Sequence, residues 1–142
     1  MRITDVLRRK GSSVITIPPT GTVRDLLAVL AEHKIGALVV STDGAHVDGI
    51  VSERDIVRRL HVDGEGVLDL SISDIMTSDV HTCVPEVTTD DLMQEMTEFR
   101  FRHVPVVVEG RLAGIVSVGD VIKYRLEELQ SERDHLTAYI TG

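Results

Sequence analysis

Two stretches of this chain set the same residue types at the same spacing: Gly49-Ile50-Val51-Ser52-Glu53-Arg54-Asp55 and Gly114-Ile115-Val116-Ser117-Val118-Gly119-Asp120. In each, a hydroxyl stands three residues ahead of a carboxylate, directly after an apolar run. Where a strand passes into a helix, that spacing is close to a capping box, with Ser at the N-cap and an acid one turn in. The acid there also favours the positive end of the helix dipole. The same residues could instead hold a ligand. Free N–H groups at a helix start attract phosphate, and the hydroxyl adds a further donor. The carboxylate can accept hydrogen bonds from the paired hydroxyls of a ribose. On one copy alone, both uses are open.

Other reactive chemistries find little support. The six histidines (33, 46, 61, 81, 103 and 135) show no metal-ligand spacing. No Gly-x-Ser-x-Gly elbow, phosphate-loop Lys or Cys-His arrangement offers a nucleophile, so no catalytic residue and no metal site are expected. Cys83 is the single cysteine, which rules out a disulfide framework and favours a core position. A net charge of −8 argues against general binding to nucleic acid or anionic membrane. With 3% aromatics and no Trp, base-stacking platforms are poorly supported. Basic residues cluster locally as Arg8-Arg9-Lys10, Arg54/Arg58/Arg59 and Arg100/Arg102, and a small anionic ligand needs only one such pocket, so net acidity leaves a phosphate site open. No signal peptide or membrane-length apolar run is present, and a cytoplasmic protein is expected.

The elements that would position the two motifs are themselves repeated. Val14-Ile15-Thr16 aligns with Val80-His81-Thr82, Pro19 with Pro85, Thr22 with Thr88, and Asp25-Leu26 with Asp91-Leu92. After a one-residue change in offset, the two Gly-Ile-Val-Ser motifs coincide, and Ile3-Thr4-Asp5 resembles Ile72-Ser73-Asp74. Chance matches do not keep their order along a whole half-chain. Each copy opens on a short extended run (Val14 to Ile17; Val80 to Val84) that stops at a proline. Thr22 or Thr88 then caps a helix whose apolar face is Val23, Leu26, Leu27, Leu30 or Leu92, Met93, Met96, Phe99. Two β-branched runs joined by a Gly-containing turn predict a hairpin, and a second helix starts at Ser52 or Ser117.

The unit is thus β-α-β-β-α used twice: residues 1–62, a loop over 63–70, residues 71–125, and a helical extension over 126–142. One unit of about sixty residues would be marginal alone. Two can bury their sheet faces against each other about a pseudo-two-fold axis, which leaves two clefts where the copies meet. The fold class is α+β.

In this order the duplicated motifs resemble the cystathionine-β-synthase (CBS) domain family, and the tandem resembles a Bateman module, from about Ile3 to about Arg125. The resemblance implies a non-catalytic sensor for adenosine-containing ligands: AMP, ADP, ATP, S-adenosylmethionine or NAD. It places Ser52 and Ser117 near phosphate and Asp55 and Asp120 on the ribose. It also implies backbone contacts to adenine from Thr16-Ile17 and Thr82-Cys83, and phosphate-facing positions at Gly36-Ala37 and Arg102-His103. Arg102-His103-Val104-Pro105 is similar to the basic pair ahead of x-Pro in kinase-regulating CBS modules. The other copy has neither base nor proline there, and Arg54 is its candidate cation. Unequal clefts are therefore expected, with Arg102 suited to bidentate phosphate contact. The competing reading is a structural or protein-interaction module whose clefts stay empty.

Past the repeat, Ile122, Leu126, Leu129, Arg133, Leu136 and Ile140 follow the seam spacing of a heptad. This favours a helix that packs on a partner subunit, most simply in a homodimer. The downstream protein target is not named by any residue here.

Overall fold

Each half of the chain builds its own small sheet, and each borrows a helix from the other half. The computed structural model describes residues 1–141. Its order is α1 (Ile3–Lys10), β1 (Thr16–Ile17), α2 (Val23–His33), β2 (Ala37–Val40), β3 (Gly49–Ser52) and α3 (Glu53–Asp63). A 3₁₀ turn (Gly64–Asp69) then leads to α4 (Ile72–Ile75), α5 (Thr89–Phe99), β4 (His103–Val108), β5 (Arg111–Ser117) and α6 (Val118–Thr141).

The caps form where the sequence puts them. The hydroxyls of Thr22 and Thr88 accept from the backbone N–H of Asp25 and Asp91, each at 3.1 Å. Both helices end on a residue in the left-handed region, Lys34 (φ 53°) and Arg100 (φ 59°). The second hairpin closes through Glu109 and Gly110, both at positive φ, the signature of a type I′ turn. The first hairpin has a longer loop, organised by the Asp43 carboxylate, which accepts from the Ala45 and His46 amides at 2.8 Å each.

In the first sheet β1 runs parallel to β2 and β2 antiparallel to β3; in the second, β4 pairs antiparallel with β5. The opening strands fall short of the sequence reading. Val14 to Ile17 contracts to Thr16–Ile17, and Val80 to Val84 gives only a parallel bridge between Cys83 and Val106. Prolines 18, 19 and 85 limit how far these edges can pair. The expected 63–70 loop is a 3₁₀ turn whose Val67 is fully buried in the first core.

The repeat also has a leading helix that strand and hairpin patterning did not show, and the two copies exchange it. Ile3 and Val6 of α1 pack into the second core with Leu92, Met96, Val104 and Val116. Ile72 and Ile75 of α4 pack into the first core with Val23, Leu26, Leu38 and Val51. Backbone bonds hold the exchange: the Ile3 and Thr4 amides donate to Val87 and Pro85 carbonyls, and the Ile72 and Ser73 amides to Gly21 and Pro19 carbonyls. The motif glycines allow it. A Cβ on Gly49 would lie 2.9 Å from the Thr77 carbonyl oxygen beside α4, and one on Gly114 would lie 2.6 Å from Leu7 of α1.

Beyond Tyr124, α6 continues as one helix with no core against it. Leu126, Leu129, Leu136 and Ile140 stay exposed along the heptad seam.

Candidate functional site

Both Ser-x-x-Asp motifs sit at the start of a helix, as the spacing requires. Asp55 Oδ2 accepts from the Ser52 amide at 2.8 Å and the Ser52 hydroxyl at 3.1 Å. Asp120 Oδ2 accepts from the Ser117 amide at 2.9 Å, and the Asp120 amide donates to the Ser117 hydroxyl oxygen at 3.1 Å. The capping reading is therefore realised in both halves. Capping engages one carboxylate oxygen and leaves the other free to meet a ligand. The first helical amide of each, Glu53 and Val118, donates to the Gly36 or Arg102 carbonyl at 3.0 and 2.8 Å. That bond carries the residue ahead of the hairpin up to the helix start.

Each motif faces a cleft completed by the opposite half. Cleft one, about 280 Å³, joins Ser52, Arg54, Asp55 and Arg58 to Arg100, Phe101, Arg102 and His103. Ile50 and Thr77 also line it. Cleft two, about 370 Å³, joins Ser117, Asp120 and Ile115 to Val14, Ile15, Ile35, Gly36 and Ala37, with Lys10 at its side. Gly36, Ala37 and His103 line both, so the clefts stand back to back.

This crossing sharpens the expected inequality. Arg102 meets the Ser52 motif, not the Ser117 motif of its own half, and joins Arg54 in one cleft. Arg58, one turn beyond Arg54 and so on the same helix face, and Arg100 bring the arginines of cleft one to four. Gly36, the counterpart of Arg102, gives cleft two no side chain at all.

Thr16, Ile17, Thr82, Cys83 and Pro105 are not among the residues lining either cleft. Ile17 and Cys83 are core residues, and their peptide groups are used in the sheets. The Ser41 amide donates to the Ile17 carbonyl; the Cys83 amide donates to the Pro105 carbonyl, and the Val107 amide to the Cys83 carbonyl. The chain that faces cleft two lies just upstream, at Val14-Ile15. Burial, with Glu95 nearby, pushes the Cys83 thiol up to about 11, which keeps it protonated at neutral pH.

Lys10, Arg58 and Arg100 are visible in the sequence only as members of local basic clusters, without a cleft assigned to them, and Thr77 and Phe101 are not marked there as lining residues. Arg58 follows Arg54 by helical spacing; which cleft Lys10 serves does not follow from sequence, because it arrives on the exchanged helix. Phe101 supplies an aromatic wall that bulk composition had argued against, and its ring stacks on His81 at 4.4 Å. Burial first, then Lys10 and Arg102, hold the His103 imidazole below its ordinary value against the pull of Asp120 and Glu53. The ring between the clefts is thus mainly neutral at pH 7. Burial pushes the Asp120 carboxyl up, but hydrogen bonds from Lys10 and Ser117 outweigh it and leave it below the usual range.

A family model described as CBS domain matches residues 3–62 and, a second time, residues 72–127. The chain belongs to the CBS-domain family. It is a tandem pair, and its relatives include small CBS-domain proteins. The mitochondrial CBS domain-containing protein CBSX3 of Arabidopsis thaliana is 36% identical, across 99% of this chain and 72% of its own. YhcV of Bacillus subtilis is 27% identical over 78% of this chain and 77% of its own. Among solved structures, the CBS-domain containing protein ATU1752 of Agrobacterium tumefaciens superposes with a TM-score of 0.85 at 47% identity, covering 88% of this chain and 99% of that one. The CBS domain pair of protein MJ0100, solved with 5′-methylthioadenosine and S-adenosyl-L-methionine, shares the fold at a TM-score of 0.78 and 24% identity, covering 90% of this chain and 98% of that one. Among the described residues, no cluster of His, Cys, Asp or Glu is arranged to hold a metal, and no helix is long and apolar enough to cross a membrane.

Proposed function

We propose that this CBS pair is a non-catalytic sensor that binds adenosine-containing ligands, among them AMP, ADP, ATP and NAD, in the clefts between its halves. The observation that carries the reading is cleft one. There a helix-start hydroxyl and carboxylate face four arginines, with Phe101 and Ile50 as apolar wall for a base. Bidentate guanidinium groups suit phosphate, and Asp55 suits a ribose diol. The adenosine ligands of MJ0100 are consistent with that use. With so many cations, cleft one favours the more highly phosphorylated nucleotides. Ligand binding would shift how the halves or subunits pack, for a partner to read, provided one arrangement binds better.

Calorimetry against AMP, ADP, ATP, NAD and S-adenosylmethionine tests the reading, and no heat at millimolar ligand would sink it. Within that panel, Arg102→Gln should weaken ATP by roughly fivefold, the value of a partly exposed charge contact of about 1 kcal/mol, and leave adenosine unchanged. Equal losses for ATP and adenosine would remove Arg102 from the phosphate subsite.

The second part of the proposal is a homodimer through α6. The exposed seam of Leu126, Leu129, Leu136 and Ile140 supports it, since a solitary module has no use for an apolar stripe on a projecting helix. Leu136→Glu with Ile140→Glu should convert a dimer to a monomer in sedimentation equilibrium, with the far-UV spectrum retained. A species of unchanged mass would dismiss α6 as the interface.

A further inference from the structure

The carboxylates of the two clefts are not equally available. Lys10, the last residue of α1, donates from Nζ to Asp120 Oδ2 at 2.6 Å and to the Ile115 carbonyl at 2.7 Å. The contact is partly screened from solvent, with the two side chains 30% and 22% exposed. It therefore differs from fully solvated ion pairs, which contribute little. The second acceptor fixes the ammonium from another side, so its position does not rest on one contact. Among the described residues, Asp55 has no such visitor, and its hydrogen bonds come from Ser52. Lys10 is also the one Lys or Arg among the residues lining cleft two, where Gly36 replaces the arginine that the opposite half gives to cleft one. His103, the other basic group in reach, is mainly neutral.

We infer that Lys10 is a tethered cation that covers the ribose-binding carboxylate of cleft two and yields only to a ligand bringing its own anion, so that this cleft selects a nucleoside monophosphate over the free nucleoside. The inference rests on the sensor reading above. A ribose diol that takes both oxygens of Asp120 must displace Lys10 from Oδ2, and a neutral ligand then leaves a partly buried ammonium without its counter-charge, which is unfavourable. A phosphate at the start of α6 provides that counter-charge. The lysine stem is long and flexible enough to exchange one partner for the other. Because Lys10 ends α1, and Arg9 holds Glu127 of α6 at 3.1 Å, the exchange is felt where these helices meet.

Adenosine and AMP are titrated separately into the full chain and into Lys10→Met. Amide shifts of Val14 and Ile115 report cleft two, and those of Ile50 and Thr77 report cleft one. In the unaltered chain AMP binds cleft two more tightly than adenosine. In Lys10→Met adenosine gains roughly fivefold while AMP changes little, so the preference shrinks by that factor, the value of one such pair. The ratio at cleft one does not move, and Lys10→Arg keeps the preference at cleft two. A cleft-two preference that survives Lys10→Met, or adenosine binding that weakens in it, overturns the inference and leaves the sensor reading standing. If neither ligand moves either set of amides in the unaltered chain, the sensor reading falls and the inference with it.

Discussion

Ile3→Ala should unfold the second half first, although Ile3 lies at the start of the chain. The side chain is fully buried among Leu92, Met96, Val104 and Val116. Truncating a buried isoleucine to alanine removes apolar contacts and leaves a cavity, at a cost of about 2–5 kcal/mol. A domain of this size has only about 5–15 kcal/mol in total, so the loss is large. Hydrogen exchange should show protection falling in β4 and β5 more than in β2 and β3. Ile72→Ala is the mirror experiment, since Ile72 is equally buried but in the first core. It should expose β2 and β3 preferentially, by a loss of about the same 2–5 kcal/mol. If each substitution instead weakened the half to which it belongs in sequence, the exchange of lead helices would be wrong.

Asp55→Asn separates the two uses of the motif. An asparagine at this position keeps a side-chain oxygen for the Ser52 amide, so the helix cap should lose no more than about 1 kcal/mol. A ribose diol held by a charged acceptor loses more, about 1.5–3 kcal/mol, which is roughly ten- to a hundredfold in affinity. Calorimetry and thermal melting on one preparation give both numbers. An affinity that holds while only the melting temperature falls would reduce the motif to a cap. The matching change at Asp120 should show a smaller loss, because Lys10 already competes for that carboxylate.

Much of this is legible in the sequence. The repeat, the Thr22 and Thr88 caps, the hairpins and the helix starts at Ser52 and Ser117 all follow from patterns whose range is a few residues. Such patterns act through local backbone chemistry, so they survive in the fold. What local patterning could not give is which half a segment serves. Ile3 and Ile72 look like the apolar residues of a short amphipathic turn in either place, and only packing sends each across the molecule. The same blindness hid which cleft Lys10 serves and paired Arg102 with the motif of its own half. The shortened opening strands have another cause. Extended propensity at Val80 to Val84 is real, but pairing needs a neighbour, and only Cys83 bridges to β4.

The exchange of lead helices also bears on what one repeat could be by itself. Its helix is built to close a core other than its own, so a lone copy would leave that core open and its helix unplaced. It would close by trading helices with a second copy, as domain-swapped pairs do. The 3₁₀ turn from Gly64 to Asp69 makes the trade intramolecular. A short connection holds its ends at an effective concentration of about millimolar, far above what two free chains reach in dilute solution. The linker thus keeps the two clefts assembled at any dilution of the protein.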